Sequence, residues 1–274
     1  MAEITLPWHL GLLGDERVLK SPSPLMHEAA LEAAGLRGRY LPLKLDRADL
    51  PLVLKGLWTL GFQGLNVTAP LKEAVLEHLV SQSPEARAIG AVNTLIRTAE
   101  GYAGHNTDGP GFAAAFLQDR DPRQKVLLYG AGGAARAVLQ AFTAGGFSVS
   151  VCARTLEKAE KLAAEFGQTA LAPEQIPAFG PADILVAAVS ASSASDLDPP
   201  LAASFNPGAL VIDLNYGRPD NYWAALAAGQ GSRFSDGLPM LAQQARLSFN
   251  CWTRAGVSLD PFTRALEVYL NRGV

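Results

Sequence analysis

Two groups of residues in this 274-residue chain have types and spacings suited to chemistry. The first is Lys125–Ala144, KVLLYGAGGAARAVLQAFTA. An apolar run, Lys125–Tyr129, leads directly into Gly130-Ala131-Gly132-Gly133-Ala134-Ala135, and Arg136–Ala144 is apolar at helical spacing. Strand, glycine turn and helix start, in that order, are the setting of a dinucleotide-binding loop. Gly130 permits a tight exit from the strand. Gly132 lets backbone approach a pyrophosphate, and Ala135 is small enough for close helix–strand packing. The helix start adds unpaired N–H groups and the positive end of its dipole. Downstream, the expected strand Ser148–Cys152 runs into Ala153-Arg154-Thr155, with Lys158 one helical turn further. A loop that binds NAD carries an acid there for the ribose hydroxyls. None stands at this place, and a guanidinium with an ammonium suits a 2′-phosphate. The expected cofactor is therefore NADP.

The second group is polar residues at the ends of apolar runs. Asn66 and Thr68 end one such strand, and Lys72 lies in the first turn of the next helix, where the dipole repels a cation. Asn93 and Thr94 end the apolar segment Ala91–Asn93, and Asn106-Thr107-Asp108 precede a helix. Ligands of α/β sheets sit at the carboxyl ends of strands, which is where these residues are read. The ordinary alternative stands beside this: Asn106–Asp108 before a helix is by default a capping cluster. In Ser21-Pro22-Ser23-Pro24 the prolines are expected to hold an extended loop, with both hydroxyls on one side. His9, His27, His78 and His105 share no metal-ligand spacing, and Cys152 and Cys251 lack a Cys-x-x-Cys pattern. No metal is expected, and the histidines read as ordinary structural residues, with His105 a minor candidate because it lies near Asp108.

The elements that would position these groups follow β-α-β-α order from His9 to Lys72. They continue as a strand pair around Thr98–Gly101 and as a second α/β series from Lys125. The helices Met240–Trp252 and Pro261–Asn271 close the chain. Alternation of this kind implies a mainly parallel sheet. A chain of this length holds one or two domains, and the nucleotide loop in mid-chain argues for two. The expected division is a substrate-binding and catalytic domain at 1–103, completed by C-terminal helices at 238–274, and a nucleotide-binding domain at 104–237. The net charge of −3 supplies no basic stripe, so nucleic acid is not an expected partner. No apolar run is long enough for a membrane span. Glu3 and the absence of a basic leading segment argue against a signal peptide, so a cytoplasmic location is expected.

The ordered motifs resemble the shikimate dehydrogenase family. Asn66-Val67-Thr68-Ala69-Pro70-Leu71-Lys72 is similar to its NVTxPxK motif and Ser21–Pro24 to its SxSP motif. Gly90–Thr94 is similar to GAVNT, Asn106–Gly109 to NTDG and Gly130–Arg136 to GAGGAxR. Asp236-Gly237-Leu238 with Met240-Leu241 and Gln244 is similar to the closing DGxxMLxxQ. The resemblance spans nearly the whole chain. It implies a two-domain α/β fold with a Rossmann-like doubly wound NADP domain. The implied reaction is NADP-linked interconversion of shikimate and 3-dehydroshikimate, in chorismate and aromatic amino-acid biosynthesis, by a monomer or homodimer.

Carried over by position, the resemblance implies that Ser21 and Ser23 hold the substrate carboxylate with Tyr216. Asn66, Thr68, Asn93 and Gln244 would bind the ring hydroxyls, and Lys72 and Asp108 would flank the hydroxyl that is oxidised. Gly130, Ala131, Gly132, Gly133 and Ala134 would cradle the pyrophosphate, with Arg154 and Lys158 at the 2′-phosphate, Thr155 among the cofactor-binding residues, and Gly237 and Met240 at the nicotinamide. Three departures stand out. Ala153 replaces a usual Asn, Ala187-Ala188-Val189-Ser190 replaces Asn-Ala-Thr-Ser, and Pro239 replaces a common Gly. Two alternatives share the fold: a quinate/shikimate dehydrogenase using NAD, and a ligand sensor without catalysis. The lack of an acid at 153–154 disfavours the first, and the presence of Lys72 and Asp108 disfavours the second.

Overall fold

The computed structural model describes residues 6–189, 205–217 and 220–271. The chain divides into two compact units, Met1–Thr107 with Ala242–Val274, and Asp108–Leu241. The first unit begins β1 (Trp8–Gly14), α1 (Ser23–Ala33), β2 (Gly38–Lys44), α2 (Leu50–Thr59), β3 (Gly64–Val67) and α3 (Leu71–Ala74). It continues β4 (Ser81–Gln82), α4 (Pro84–Ile89), β5 (Thr94–Arg97) and β6 (Tyr102–His105). The sheet order is β2-β1-β3-β5-β6-β4. Strands β1, β2 and β3 are parallel, as are β4 and β6, whereas β5 is antiparallel to both β3 and β6. The β5–β6 pairing is forced by its connection. Thr98 N–H donates to the Gly101 carbonyl at 2.8 Å, and a turn that short joins only antiparallel strands.

The two faces of this sheet differ. Leu13, Leu65, Val67 and Leu95 share a core with Leu50, Leu54 and Leu57 of α2, which recur at helical spacing on one side. In register on the other face stand Leu10 with Tyr40, Leu12 with Asn66, and Asn66 with Thr94. The buried polar residues Asn66 and Thr94 thus stand on the face opposite the leucine core.

The second unit contains α5 (Asp108–Phe116), β7 (Val126–Tyr129), α6 (Gly133–Ala144), β8 (Val149–Cys152), α7 (Leu156–Glu165) and β9 (Thr169–Leu171). Then come α8 (Ile176–Phe179), β10 (Ala182–Ala187), β11 (Phe205–Asp213), α9 (Tyr222–Gly229) and β12 (Arg233–Ser235). Its sheet runs β12-β11-β10-β7-β8-β9, every neighbour parallel. This is the doubly wound, Rossmann-like order, with its switch point between β7 and β10. Strand β7 is buried at all four residues, as expected of a central parallel strand covered on both faces. Phe112, Phe142 and Leu139 fill one side of the sheet, and Trp223, Leu127 and Leu185 the other.

The closing helices are α10 (Leu238–Thr253) and α11 (Asp260–Asn271). Helix α11 packs on α1 and buries Phe262, Ala265 and Leu266, an i, i+3, i+4 stripe. Trp252 of α10 donates its indole N–H to the Leu95 carbonyl at 2.9 Å. No helix among the described residues is long and apolar enough to cross a membrane.

The structure corrects two local expectations. Ser21–Pro24 is not an extended loop throughout. Ser21 is extended, but Pro22 is helical (φ −73°, ψ −8°) and Ser23 already belongs to α1. Proline is well tolerated in a first helical turn because the N–H it lacks has no partner there. Asn93 and Thr94 do not end a strand; Thr94 opens β5. They still reach the carboxyl end of β3, because the antiparallel pairing puts Thr94 opposite Asn66.

Candidate active site

In the first unit, the polar face converges on Asn66, which is 6 % exposed. The Tyr40 hydroxyl donates to Asn66 Oδ1 at 2.8 Å. Asn66 Nδ2 donates to the Asn93 carbonyl at 3.0 Å and to Ser248 Oγ at 3.1 Å. Because a carbonyl only accepts, the orientation of the Asn66 amide is fixed. Asn93 Nδ2 donates to Thr107 Oγ1 at 2.9 Å and to Gln244 Oε1 at 3.3 Å. Thr94 donates to Asn93 Oδ1 at 2.8 Å and lies 2.7 Å from Ser248 Oγ. Asn66, Asn93 and Gln244 therefore meet in one network. Tyr40 and Ser248 belong to it and carry no motif signal. Ser248 was legible only as the polar residue four positions past Gln244, hence on the same helical face.

Ser21 Oγ donates to Ser23 Oγ at 3.0 Å, and Ser23 N–H donates to Ser21 Oγ at 3.2 Å. The two hydroxyls are neighbours at the start of α1, able to face one anion together. Thr68 precedes and Lys72 follows the β3–α3 turn, where Ala69-Pro70 is a cis peptide, Lys72 being the second residue of α3. Thr68 N–H donates to the Leu13 carbonyl at 2.9 Å, and the Lys72 carbonyl accepts from Val92 N–H at 2.9 Å. The turn is thereby tied to the segment that carries Asn93. Asp108 opens α5 and is 8 % exposed. It directly follows Thr107, whose backbone N–H donates to Asn93 Oδ1 at 2.8 Å.

His27 reads from sequence as an ordinary helical residue; it is 1 % exposed and stacks on Tyr40 at 4.3 Å between centroids and 5° between planes. Burial lowers its pKa to about 3, opposed in part by its hydrogen bond with Asn66. Burial also pushes the Tyr40 phenol well above its usual value, so both rings are neutral hydrogen-bonding groups near pH 7.

In the second unit, Gly130, Ala131, Gly132, Arg154, Thr155 and Lys158 line one cavity of about 330 Å³ at the carboxyl ends of β7 and β8. Gly130 has φ +129°, and a Cβ there would lie 2.4 Å from the Ala188 carbonyl oxygen. Nothing lies within 4 Å of a Cβ built on Gly132, so the backbone at the start of α6 faces open space. Gly133 and Ala134 form the first turn of α6 beside it. Arg154 and Lys158 are exposed at the cavity rim. A glycine cradle, a helix start and two cations without an acid among the lining residues suit a diphosphate with a further phosphate on its ribose. Ala153, in place of the family's usual Asn, is buried in the core of this unit and presents no donor to the rim. Of the Ala187–Ser190 stretch, Ser190 lies outside the described residues.

Tyr216, Gly237 and Met240 also belong to the second unit. Tyr216 follows the end of β11, and Gly237 packs on the residues just before it. Gly237 N–H donates to the Asn215 carbonyl at 3.0 Å, and a Cβ on Gly237 would stand 2.1 Å from the Leu214 carbonyl oxygen. Met240 packs against the core of the unit. This arrangement rests on Asp213, a buried carboxylate missed by sequence reasoning. It accepts from Asn215 N–H at 3.0 Å, Asn215 Nδ2 at 2.8 Å and Asn221 Nδ2 at 2.8 Å. Burial, and then the Asp213 charge, push the Asp236 carboxyl upward.

Comparison with known proteins gives concordant findings. A family model described as the shikimate dehydrogenase substrate binding domain matches residues 13–95, and one described as shikimate / quinate 5-dehydrogenase matches residues 114–215. The chain is 42 % identical to a shikimate dehydrogenase (NADP(+)) of Thermus thermophilus, over 89 % of this chain and 91 % of that protein. It is 40 % identical to a protein of the same description from an Anaeromyxobacter species, over 89 % and 90 % of the two chains. Among solved structures, it is similar to a shikimate 5-dehydrogenase of Thermus thermophilus in complex with NADP(H) and shikimate. The TM-score is 0.84 at 38 % identity, covering 97 % of this chain and all of that one.

Proposed function

The chain belongs to the shikimate dehydrogenase family, and from that membership we propose that it interconverts shikimate and 3-dehydroshikimate with NADP as the redox partner. The observation that carries this reading is the buried network of Asn66, Asn93, Thr107, Gln244 and Ser248 on one face of the first sheet. Such a set of fixed amides and hydroxyls fits a polyhydroxylated ring, since each site group has both donor and acceptor capacity. The paired hydroxyls of Ser21 and Ser23 fit the ring's carboxylate, a role the family resemblance also gives Tyr216, and Thr68 joins the amides at the ring hydroxyls.

When bound, NADP supplies the hydride acceptor. The chain's residues manage the proton. Oxidation of a secondary alcohol releases the hydroxyl proton as hydride leaves carbon, and reduction must return it. Lys72 takes that role: as an ammonium it protonates the forming alkoxide, and as an amine it accepts the hydroxyl proton. Asp108 orients Lys72 and the reacting hydroxyl. Arg154, Thr155 and Lys158 hold the 2′-phosphate, and the backbone from Gly130 to Ala134 holds the pyrophosphate. Gly237 and Met240 line the nicotinamide side, where a side chain at 237 would displace the turn that carries Tyr216.

The test is turnover by the purified chain, followed by nicotinamide absorbance, with shikimate or quinate against NADP or NAD in all four combinations. The expected result is the highest kcat/KM with shikimate and NADP. A preference for quinate with NAD would replace the reading with its alternative, and no turnover in any combination would favour a ligand sensor.

A further inference from the structure

Tyr40 is a buried titratable group for which neither the family resemblance nor the proton chemistry has a use. It is 1 % exposed and lies on β2, separated from Asn66 on β3 by the whole width of β1. The register nevertheless puts both on one face, with Tyr40 opposite Leu10 and Asn66 opposite Leu12. The Tyr40 hydroxyl donates to Asn66 Oδ1 at 2.8 Å. Ser23 lies one helical turn before His27, the residue stacked on Tyr40, and its hydroxyl is close enough to oppose in part the upward push on the phenol. A phenol has one proton. With that proton on Asn66, Ser23 can meet the Tyr40 oxygen only as a donor. Ser21 in turn donates to Ser23 at 3.0 Å. Ser21 donates to Ser23, Tyr40 to Asn66, and Asn66 to the Asn93 carbonyl and Ser248, with the Ser23 hydroxyl beside the phenol as the joint between the two halves. The phenol ring is held by His27 stacked on it and by Trp252, whose ring centroid lies 6.4 Å away.

We infer that Tyr40 is a positioning residue that couples the carboxylate-binding serines to the ring-binding asparagine, through one hydroxyl shared between Ser23 and Asn66. The inference rests on the shikimate reading of the site. Tyr40 touches no substrate in this scheme. It fixes the amide orientation of Asn66 at one end and the rotamer of Ser23 at the other. A fixed donor and acceptor set spares a ligand the cost of ordering those side chains on binding.

Tyr40→Phe removes the hydroxyl and keeps the stacked ring. Shikimate KM should rise about fivefold or more, the worth of a neutral hydrogen bond that is no longer aligned. The kcat should stay within about twofold, and the KM for NADP should not move, because interactions equal in ground and transition states appear in KM alone. An unchanged shikimate KM in a folded, active variant overturns the inference, as does an equal rise in the KM for NADP. A second measurement needs no change at Tyr40. A cyclohexene triol that keeps the ring hydroxyls of shikimate and lacks its carboxylate has nothing for a carboxylate-binding serine to hold. If Ser23 acts only on the carboxylate, Ser23→Ala leaves the inhibition constant of this triol unchanged, and the coupling is refuted. If Ser23 acts through Tyr40 on Asn66, that constant rises about threefold or more. A wild-type chain inactive on shikimate overturns the underlying reading and the inference with it, whereas an active wild type with no response in either variant overturns the inference alone.

Discussion

Asn93 and Thr107 are joined by two reciprocal hydrogen bonds: Thr107 N–H donates to Asn93 Oδ1 at 2.8 Å, and Asn93 Nδ2 donates to Thr107 Oγ1 at 2.9 Å. Both residues are buried, so neither bond has water as a substitute. The pairing fixes the backbone immediately before Asp108. Asn93→Ala leaves the Thr107 N–H without its acceptor, a loss of about 1–3 kcal/mol. Chemical denaturation should show a lower midpoint with an unchanged slope. The kcat should fall together with the stability, because Asp108 is displaced. A stability loss with wild-type kcat would separate Asn93 from the placement of Asp108.

Lys72→Met keeps the length of the side chain and removes its proton and charge. The kcat should fall by about 10²–10⁴, the range for loss of a general acid–base, while shikimate KM moves far less. Asp108→Asn should lower kcat with a displaced pH profile. Near wild-type kcat for Lys72→Met across the pH range would remove the lysine from proton transfer and leave His105 or a water for that role.

Arg154→Ala should weaken NADP and leave NAD nearly unchanged. A hydrogen bond to a charged group is worth about 1.5–3 kcal/mol, or more than tenfold in affinity. Titration of each cofactor separates the cases. Equal losses for both would show that Arg154 does not read the 2′-phosphate.

Ser21→Ala should raise shikimate KM more than it lowers kcat, because a carboxylate far from the reacting carbon is held alike in ground and transition states. Steady-state kinetics against shikimate decides this, and a fall confined to kcat would contradict it.

His27 gives stability a pH dependence of known sign. Its imidazole has an ordinary pKa of 6.5, and burial lowers it to about 3 in the folded chain. Between those values the unfolded chain binds a proton that the folded chain does not, so stability falls as pH drops through that window. The slope approaches about 1.4 kcal/mol per pH unit where the two states differ by a full proton. His27→Phe retains an aromatic ring against Tyr40 and deletes the titration. Its unfolding free energy should therefore depend less steeply on pH between 6 and 4 (about the middle of the window) than that of the wild type. Parallel pH profiles for the two proteins would exclude His27 as the source.

The nucleotide-binding half was legible because its chemistry is local. Strand, glycines and helix start lie within Lys125–Ala144, and the reasons for each residue are short-range: a positive φ at Gly130, open space at Gly132, and a helix dipole. The absence of an acid at Ala153-Arg154-Thr155, after the second strand of the unit, could be read in the same way. Asn66, Asn93 and Gln244 were identifiable as residue types, by pattern and by resemblance, because polar groups are costly to bury without a purpose. Tertiary structure alone decided how they meet. Thr94 stands opposite Asn66 only because β5 runs antiparallel to β3, a choice made by strand order and by the β5–β6 turn. Ser248 reaches Asn66 from 182 positions further along the chain, and Tyr40 reaches it across β1. Helical and strand periodicities report which face of an element is apolar. They carry no record of which distant element will cover that face, since that is settled by the packing of the whole unit.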